Sequence, residues 1–596
     1  MLLLYYALKT KRHNYTKAMH EDLKPFFMDP KDPKHRQYEA LRAYVLDEIP
    51  ASEVARNFGF SEKTLFSLAH DLRAGKLLFF PKTTPGPKER RVTPYTRETI
   101  CALRRKGFSA ADIHARLLEE NLQTSISTIE RILRDAGFNK LHRRTNVKRD
   151  LTKKNTIIPK PSRDLDFDEL KPFSAECQVA GIFFFLPYIL EAGIIEKFDR
   201  LPLPQSTQIG KTQAMLSLLA LKLIGGERLS HVAQYDHDAG FGLFAGLNVL
   251  PKKTYMGTYS CLASADLCAS LQKEIVSGFI DREPYFYSGA TINLDFHSIP
   301  HFGDLSAMEK VWCGARNKAI KGANTFFAQD AETNSLLYTN ADVLRKNGAR
   351  EIINFVDYLK GIKGVVDKTL VFDSRLTNYE ILGKLDTMDV KFITLRQRGA
   401  KLAAQTQAIP DDQWQKVKLP IPKRKYQNFL AHESEVSLKK CPKPLRQIIM
   451  KNHGRNEPTY VVTNNRDLRL TDILTVYARR WRIENKLSEL VDFFSLNALS
   501  SPIMVRIHFD LILSIVADFL YHRFAKDLPR FEKHLAPDIF RSFVDMPGIV
   551  RYDGHTFEVR IRKRAHTPIL LGVEKFHHPI NLPWLDGKPL NIVFTT

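Results

Sequence analysis

The chain has 596 residues, 44% of them hydrophobic and 26% charged, with a formal charge of +23 and a pI near 9.5. It is long enough for several domains and a large core. It is also basic enough to imply acidic partners, meaning nucleic acid or an anionic membrane surface.

The membrane alternative is weak. The apolar start, residues 1–8, is too short for the h-region of a signal peptide and has no basic flank. Residues 179–190, VAGIFFFLPYIL, fall short of the ~20 apolar residues a span needs and read as a buried helix. Six scattered cysteines without a CxxC pair suggest neither a zinc site nor a disulfide framework. A reducing, cytoplasmic compartment fits them best. The charge is uneven: residues 1–150 hold 29 Lys and Arg against 18 Asp and Glu, so nucleic-acid contacts are expected at the front.

In chain order, residues 1–80 hold the first element pair. Residues 48–72 predict a helix over 51–58 with Val54 and Ala55 inward. Gly59 permits a left-handed turn, and Ser61 caps a second helix to Leu72. That is the helix-turn-helix pattern, whose second helix enters the major groove. Glu62, Lys63 and Leu65 are its exposed early positions, and Lys63 and Thr64 are candidate DNA contacts.

A looser second unit occupies 95–150. A helix spans 110–119, and Ser127 is expected to cap a second helix ending at Gly137, with Arg131 and Arg134 as candidate DNA contacts. An ordinary helical hairpin also fits each segment. Residues 81–94, PKTTPGPKERRVTP, read as a linker. Residues 140–149 read as a basic arm whose Arg143 and Arg144 suit phosphates.

Residues 165–285 read as helical. Within them IGKT (209–212) resembles the end of a phosphate-binding loop, but Gln205 stands where its first glycine belongs and no strand precedes it. Nucleotide binding is rejected there.

From 286 the texture alternates. Strands are predicted at 290–300, 324–330 and 335–342, a helix at 349–362, a strand at 368–374, a helix at 378–386 and a strand at 390–397. This is the connectivity of an RNase H-like core, with its first part at 286–398. Residues 399–466 read as a β-rich insertion, 467–530 as the last core helix with the second part of the core, and 531–596 as a β-rich C-terminal segment.

Asp295 and Asp373 each follow a short apolar strand run, INL and LVF, on strands that are neighbours in such a sheet. Paired carboxylates repel unless protonated or metal-bound, and hard divalent ions take oxygen ligands. A third acid, Glu484, lies in YARRWRIENKLSEL (477–490). On one helix over 473–494, Val476, Ile483, Leu487, Leu490 and Phe494 form an apolar stripe. Tyr477, Arg480 and Glu484 then lie beside it at the seam. Alternatively, Asp295 and Asp373 cap strand ends and Glu484 pairs with Arg480. His297 reads as structural or DNA-proximal, Trp481 as a packing residue, and Asp304 and Asp330 as acids that end no buried strand.

LDFHSIP, LVFDSRLTNYEILGKL with VKFITLRQRG, and YARRWRIE together resemble the three acid motifs of the DDE transposases of bacterial insertion sequences. The nearest subgroup carries a Tyr-Arg-Glu-Lys signature and a β-rich insertion before its last catalytic helix. The resemblance covers roughly residues 200–525. It implies that Asp295, Asp373 and Glu484 are catalytic and hold two Mg²⁺ ions, for which Mn²⁺ can substitute. It also implies that Tyr477 and Arg480 touch DNA phosphates near the cleaved end. Val491 stands where the subgroup has Lys.

The implied partners are double-stranded DNA, as terminal inverted repeats and as target, and a second copy of the chain on DNA. The implied place is the bacterial cytoplasm, at the nucleoid. Two rivals remain: a catalytically inactive DNA-binding regulator derived from a transposase, and another RNase H-like nuclease such as a junction resolvase.

Overall fold

The computed structural model describes residues 23–80, 92–120, 122–141, 161–302, 308–421, 428–454, 456–498, 501 and 503–596. These fall into two compact units, Met1–Thr93 and Pro94–Thr596.

Among the described residues of the first unit, α1 (Pro33–Val45), α2 (Ala51–Phe58) and α3 (Glu62–Arg73) pack together, and residues 23–28 are also helical. Gly59 takes φ 69°, ψ 35° between α2 and α3, and the Ser61 hydroxyl accepts the Thr64 N–H. Sequence reasoning missed α1, which starts with Pro33 behind the Asp32 cap, a favoured order because proline's missing N–H costs nothing there. Leu65 corrects an expectation. It is fully buried with Leu68, Val54 and Leu41, because i and i+3 share the inward face of α3. The exposed early positions are Glu62, Lys63, Thr64 and Phe66.

A second trio, α4 (Pro94–Arg105), α5 (Ala110–Glu119) and α6 (Ile126–Asp135), belongs to the larger unit. Ile100, Ile113, Leu117, Ile129 and Ile132 are buried in it. Arg105 Nε lies 3.9 Å from Asp342, and Lys346 pairs with Glu98, so the trio is fastened to the body behind it. The cap of α6 is Ser125, not Ser127: its hydroxyl accepts the Thr128 N–H at 3.3 Å. The apolar face of α6 begins at Ile129, which places the first turn two residues earlier than expected. The basic residues Arg143 and Arg144, and 81–91 of the linker, lie outside the described residues.

The predicted helical region 165–285 contains one strand, β1 (Phe173–Cys177). Its helices include α7 (Lys211–Leu223) and α8 (Ala265–Arg282). At IGKT, Lys211 donates to the carbonyls of Asp199 and Leu201, and Thr212 Oγ1 donates to Asp199 Oδ1 at 2.7 Å. These groups serve the chain itself. No described helix is long and apolar enough to cross a membrane.

The main sheet then forms in order: β2 (Thr291–Pro300), β3 (Lys310–Cys313), β4 (Lys318–Asp330), β5 (Leu336–Asn340), α9 (Glu351–Lys363), β6 (Thr369–Phe372), α10 (Tyr379–Thr387) and β7 (Phe392–Leu395). It continues with β8 (Gln415–Lys418), β9 (Asn428–Val436), β10 (Leu445–Lys451) and β11 (Thr459–Thr463). The spatial order is β3-β4-β2-β6-β7-β11-β10-β9-β8, with β5 on β4.

β2, β6 and β7 run parallel, as α9 and α10 are long enough to make the crossovers. Their apolar runs are buried on both faces, as inner parallel strands must be. Leu370, Phe372 and Phe392 enter the larger core, while Val371 and Ile393 enter a smaller one with Val417, Ile448 and Val461. The region 399–466, expected as an inserted module, supplies four strands to this same sheet. β11 pairs antiparallel with β7 at Val462↔Thr394, using an edge that would otherwise stay open.

Three helices follow: α11 (Leu470–Ala478), α12 (Trp481–Asp492) and α13 (Met504–Lys526). The C-terminal strands β12 (Gly548–Tyr552), β13 (Phe557–Arg562), β14 (Ile580–Asn581) and β15 (Pro589–Thr595) form a second sheet. One edge strand is β1, paired with β12 at Ala175↔Val550, and the other is β14.

Candidate active site

Register sets the first two acids. In the parallel pair β2–β6, Leu294 lies opposite Phe372. Asp295 and Asp373 follow them on strands ~4.8 Å apart. Asp295 Oδ1 accepts its neighbour's N–H from Phe296, and Asp373 Oδ1 accepts the Arg375 N–H at 2.9 Å.

Glu484 lies on α12, which packs on β2, and is linked to Asp295 through Arg480. The expected single helix over 473–494 is two. Tight i→i−3 bonds at Arg480, Arg482 and Ile483 mark the joint. The cause is packing. Leu470, Ile473 and Leu474 enter the smaller core, while Ile483, Leu487 and Leu490 enter the larger. On one straight helix those faces would point ~120° apart, and the joint reconciles them.

Arg480 sits in the joint. Its Nη1 donates to Asp295 Oδ2 at 2.9 Å and its Nη2 to Glu484 Oε1 at 2.6 Å. One guanidinium thus bridges two of the three acids. Burial pushes the Asp295 carboxyl up to about 6, against the pull of Arg480 and with the push of Asp373 and Glu484. The Arg480 guanidinium is held well above its ordinary range. Burial opposes that rise, but Asp295, Tyr477 and Glu484 outweigh it. At Asp295 burial therefore outweighs the neighbouring guanidinium. An all-oxygen donor set fits a hard divalent ion.

The other candidates are placed as follows. The Glu484 side chain is 56% exposed, more open than a seam position implies, because it lies in the first turn of α12. Tyr477 is half-buried against the smaller core. Val491 packs on the larger one. His297 Nε2 meets Asn497 Oδ1 at 2.8 Å, and burial lowers its pKa.

Trp481 corrects an expectation of packing. It is 49% exposed, on the side of α12 away from Ile483, Leu487 and Leu490. Asp330 does end a buried strand, β4, and is itself fully buried. It is held by the N–H groups of Gly289, Glu332 and Thr333 and by Lys368, away from the triad. Asp304 lies outside the described residues. Lys63, Thr64, Arg131 and Arg134 are all exposed on their helices.

Sequence reasoning missed a second ionic group on α12. Lys486 Nζ donates to Glu489 Oε2 (2.7 Å) and Asp518 Oδ1 (2.8 Å) and meets His522 Nε2 (3.0 Å). Glu489, Asp518 and His522 form the metal-ligand cluster found among the described residues, with ligand atoms within 4.8 Å of one another. Lys486 already fills it, its three protons matched to three acceptors. The signal in the sequence was Asp518 and His522, four apart within the apolar run of α13.

Two carboxylates on neighbouring parallel strands, and a third linked to them through Arg480, make an all-oxygen donor set of the class that hard cations take. The family comparison gives that class a closer form: residues 291–518, which contain all three acids, match the model of the transposase DDE domain. No curated protein matches the chain significantly. Among solved structures, a piggyBac transposase synaptic complex with hairpin DNA is similar at 10% identity and a TM-score of 0.30, covering 57% of this chain and 75% of that one. A Mos1 mariner paired end complex with Mn is similar at 10% identity and a TM-score of 0.13, covering 63% and 84%. At those scores neither likeness bears on the geometry described above.

Proposed function

We propose that this protein is a DDE transposase that binds the terminal inverted repeats of its element and catalyses metal-dependent cleavage and strand transfer. The observation that carries this reading is the juxtaposition of Asp295 and Asp373 on neighbouring parallel strands, with Glu484 joined to Asp295 through Arg480. It falls inside the segment matched to the transposase DDE domain. The strand order around β2, β6 and β7 supports an RNase H-like core.

Asp295, Asp373 and Glu484 would hold two Mg²⁺ ions, for which Mn²⁺ can substitute. When bound, such a pair supplies an activated attacking oxygen and stabilisation of the leaving oxygen. The chain's own residues do the rest. β2 and β6 fix the two aspartates, and the joint before α12 presents Glu484 to them. Arg480 and Tyr477 orient phosphate at the cleaved end, and the exposed Trp481 borders that space. The same in-line chemistry serves hydrolysis at the element end and attack by the freed 3′-hydroxyl on target DNA. Neither reaction needs a nucleotide.

The two trihelical groups are read as helix-turn-helix units, with Lys63, Thr64, Arg131, Arg134 and the arm residues Arg143 and Arg144 contacting DNA. A homodimer on DNA would join the two ends, in the bacterial cytoplasm at the nucleoid. Val491, packed where the Tyr-Arg-Glu-Lys subgroup has a lysine, favours one alternative, a transposase-derived regulator without catalysis.

The test is cleavage of DNA carrying the element's ends by wild type and by Glu484→Gln. Mg²⁺-dependent cleavage that falls more than ~10³-fold in the variant, with end binding kept, supports catalysis. Equal binding and no cleavage by either protein supports the regulator.

A further inference from the structure

β4 is longer than its partner β2. Beyond Gly322, which lies opposite Pro300, it pairs instead with β3, so that Lys318–Lys321 and Lys310–Cys313 form a hairpin off the sheet. The turn is Gly314–Arg316, with Asn317 at φ 46°.

One face of this hairpin is unusual. Lys310 stands directly opposite Lys321, and Trp312 opposite Ala319. All four are exposed, Trp312 at 60%. Like charges facing across a strand pair destabilise it. Among the described residues, Lys310, Lys318 and Lys321 have no ion-pair partner. At the tip, Arg316 stacks over the exposed Phe302 at 4.5 Å. The neighbouring acid, Glu309, is engaged by the Arg345 N–H at 2.6 Å.

The hairpin connects to the acid site through cations. Arg345, at its base, is exposed and within electrostatic reach of Arg375, which also feels Asp373 and Asp295. Arg375 lies over the Phe296 ring at 4.9 Å, one residue beyond Asp295. Basic side chains thus lie at intervals outward from the triad: Arg375, Arg345, and on the hairpin the facing pair Lys310 and Lys321, with Lys318 opposite Cys313.

We propose that this hairpin is a DNA-docking element, its lysines on the phosphates of the duplex leading to the scissile bond and Trp312 against a base or sugar. The inference rests on the transposase reading. Paired, uncompensated lysines flanking an aromatic fit a polyanion with stacking surfaces. Phe327 lies opposite Asp295, and the hairpin lies six to nine residues further along β4. A rise of ~3.3 Å per residue puts it ~20–30 Å from the triad, or ~6–9 base pairs of duplex.

The full-length protein would be titrated with a labelled duplex of arbitrary sequence at several salt concentrations, as wild type and as Lys310→Ala/Lys318→Ala/Lys321→Ala. We expect the triple variant to melt no lower than wild type, since a repulsion is removed. Its slope of log affinity against log salt should be shallower by ~2–3, at ~0.9 for each phosphate no longer neutralised. DNA should also quench wild-type tryptophan emission more than that of Trp312→Phe. An unchanged slope together with equal quenching overturns the proposal. Cleavage of element ends is read separately: a wild type that cleaves beside an unaltered triple variant defeats only the hairpin. A hairpin that binds in a protein that never cleaves defeats only the catalytic reading.

Discussion

α12 carries two ionic clusters, one turn apart, and they behave in opposite ways. Around Lys486 two carboxylates and an imidazole surround one ammonium, fully buried, and Glu489 Oε1 also accepts the Ala536 N–H. Burial alone would push Glu489 up, but Lys486 beside it holds its pKa below the ordinary range. Around Arg480 the balance is reversed. Asp295 is held up at about 6 despite its arginine, and Glu484 opens to solvent. The difference is one of compensation: at Glu489 the ammonium outweighs burial, and at Asp295 burial outweighs the guanidinium. Ligand geometry singles out the buried group among the described residues, but Lys486 already stands in it.

The contrast can be broken from either side. Lys486→Met leaves Glu489 and Asp518 buried without a cation, and should cost ~3–5 kcal/mol of stability in thermal or denaturant unfolding. Cleavage per folded molecule should hold. A variant that melts like wild type would show that Lys486 is not the counter-ion.

Asp295→Asn should do the reverse in metal-free protein. The folded carboxyl titrates at about 6 against an ordinary 3.8, so between those values the folded state holds a proton that the unfolded chain has lost. Stability from this group is full below 3.8 and gone above 6. The variant should therefore gain up to ~2–3 kcal/mol near pH 8 and nothing near pH 4, read as a pH-dependent difference in melting temperature. A gain of the same size at both pH values would remove the titration argument.

The smallest expected effect is at Arg480→Gln. With the internal cation gone, calorimetric titration with Mn²⁺ should show affinity raised roughly tenfold, the worth of one charged hydrogen bond. Weaker binding would mean that Arg480 organises the acids rather than competing for them.

Local pattern was enough for much of this site. INLD and LVFD each mark a buried strand closing on an acid, and strand neighbours follow from connectivity. What local pattern lacked was long-range pairing. Nothing in FSAEC says that β1 will meet β12, and nothing in the run from 399 to 466 says that its strands will continue the main sheet. The 473–494 stretch misled for a related reason. Its 3.6-residue periodicity is sound on each side of Arg479, but the two halves answer to different cores, and one wheel drawn through both merged them into a single stripe. Leu65 and Ser127 were smaller slips, each of them a cap or core position displaced by one or two residues.

The joint before α12 has a mechanical side. α11 is rooted in the core beneath β8–β11, and α12 in the core beneath β2 and α13. Arg480 spans the boundary, so a small slide of one core on the other would be read out as a change in which carboxylate its guanidinium faces. A load on the outer strands, far from Asp295, has a short route to its arginine partner.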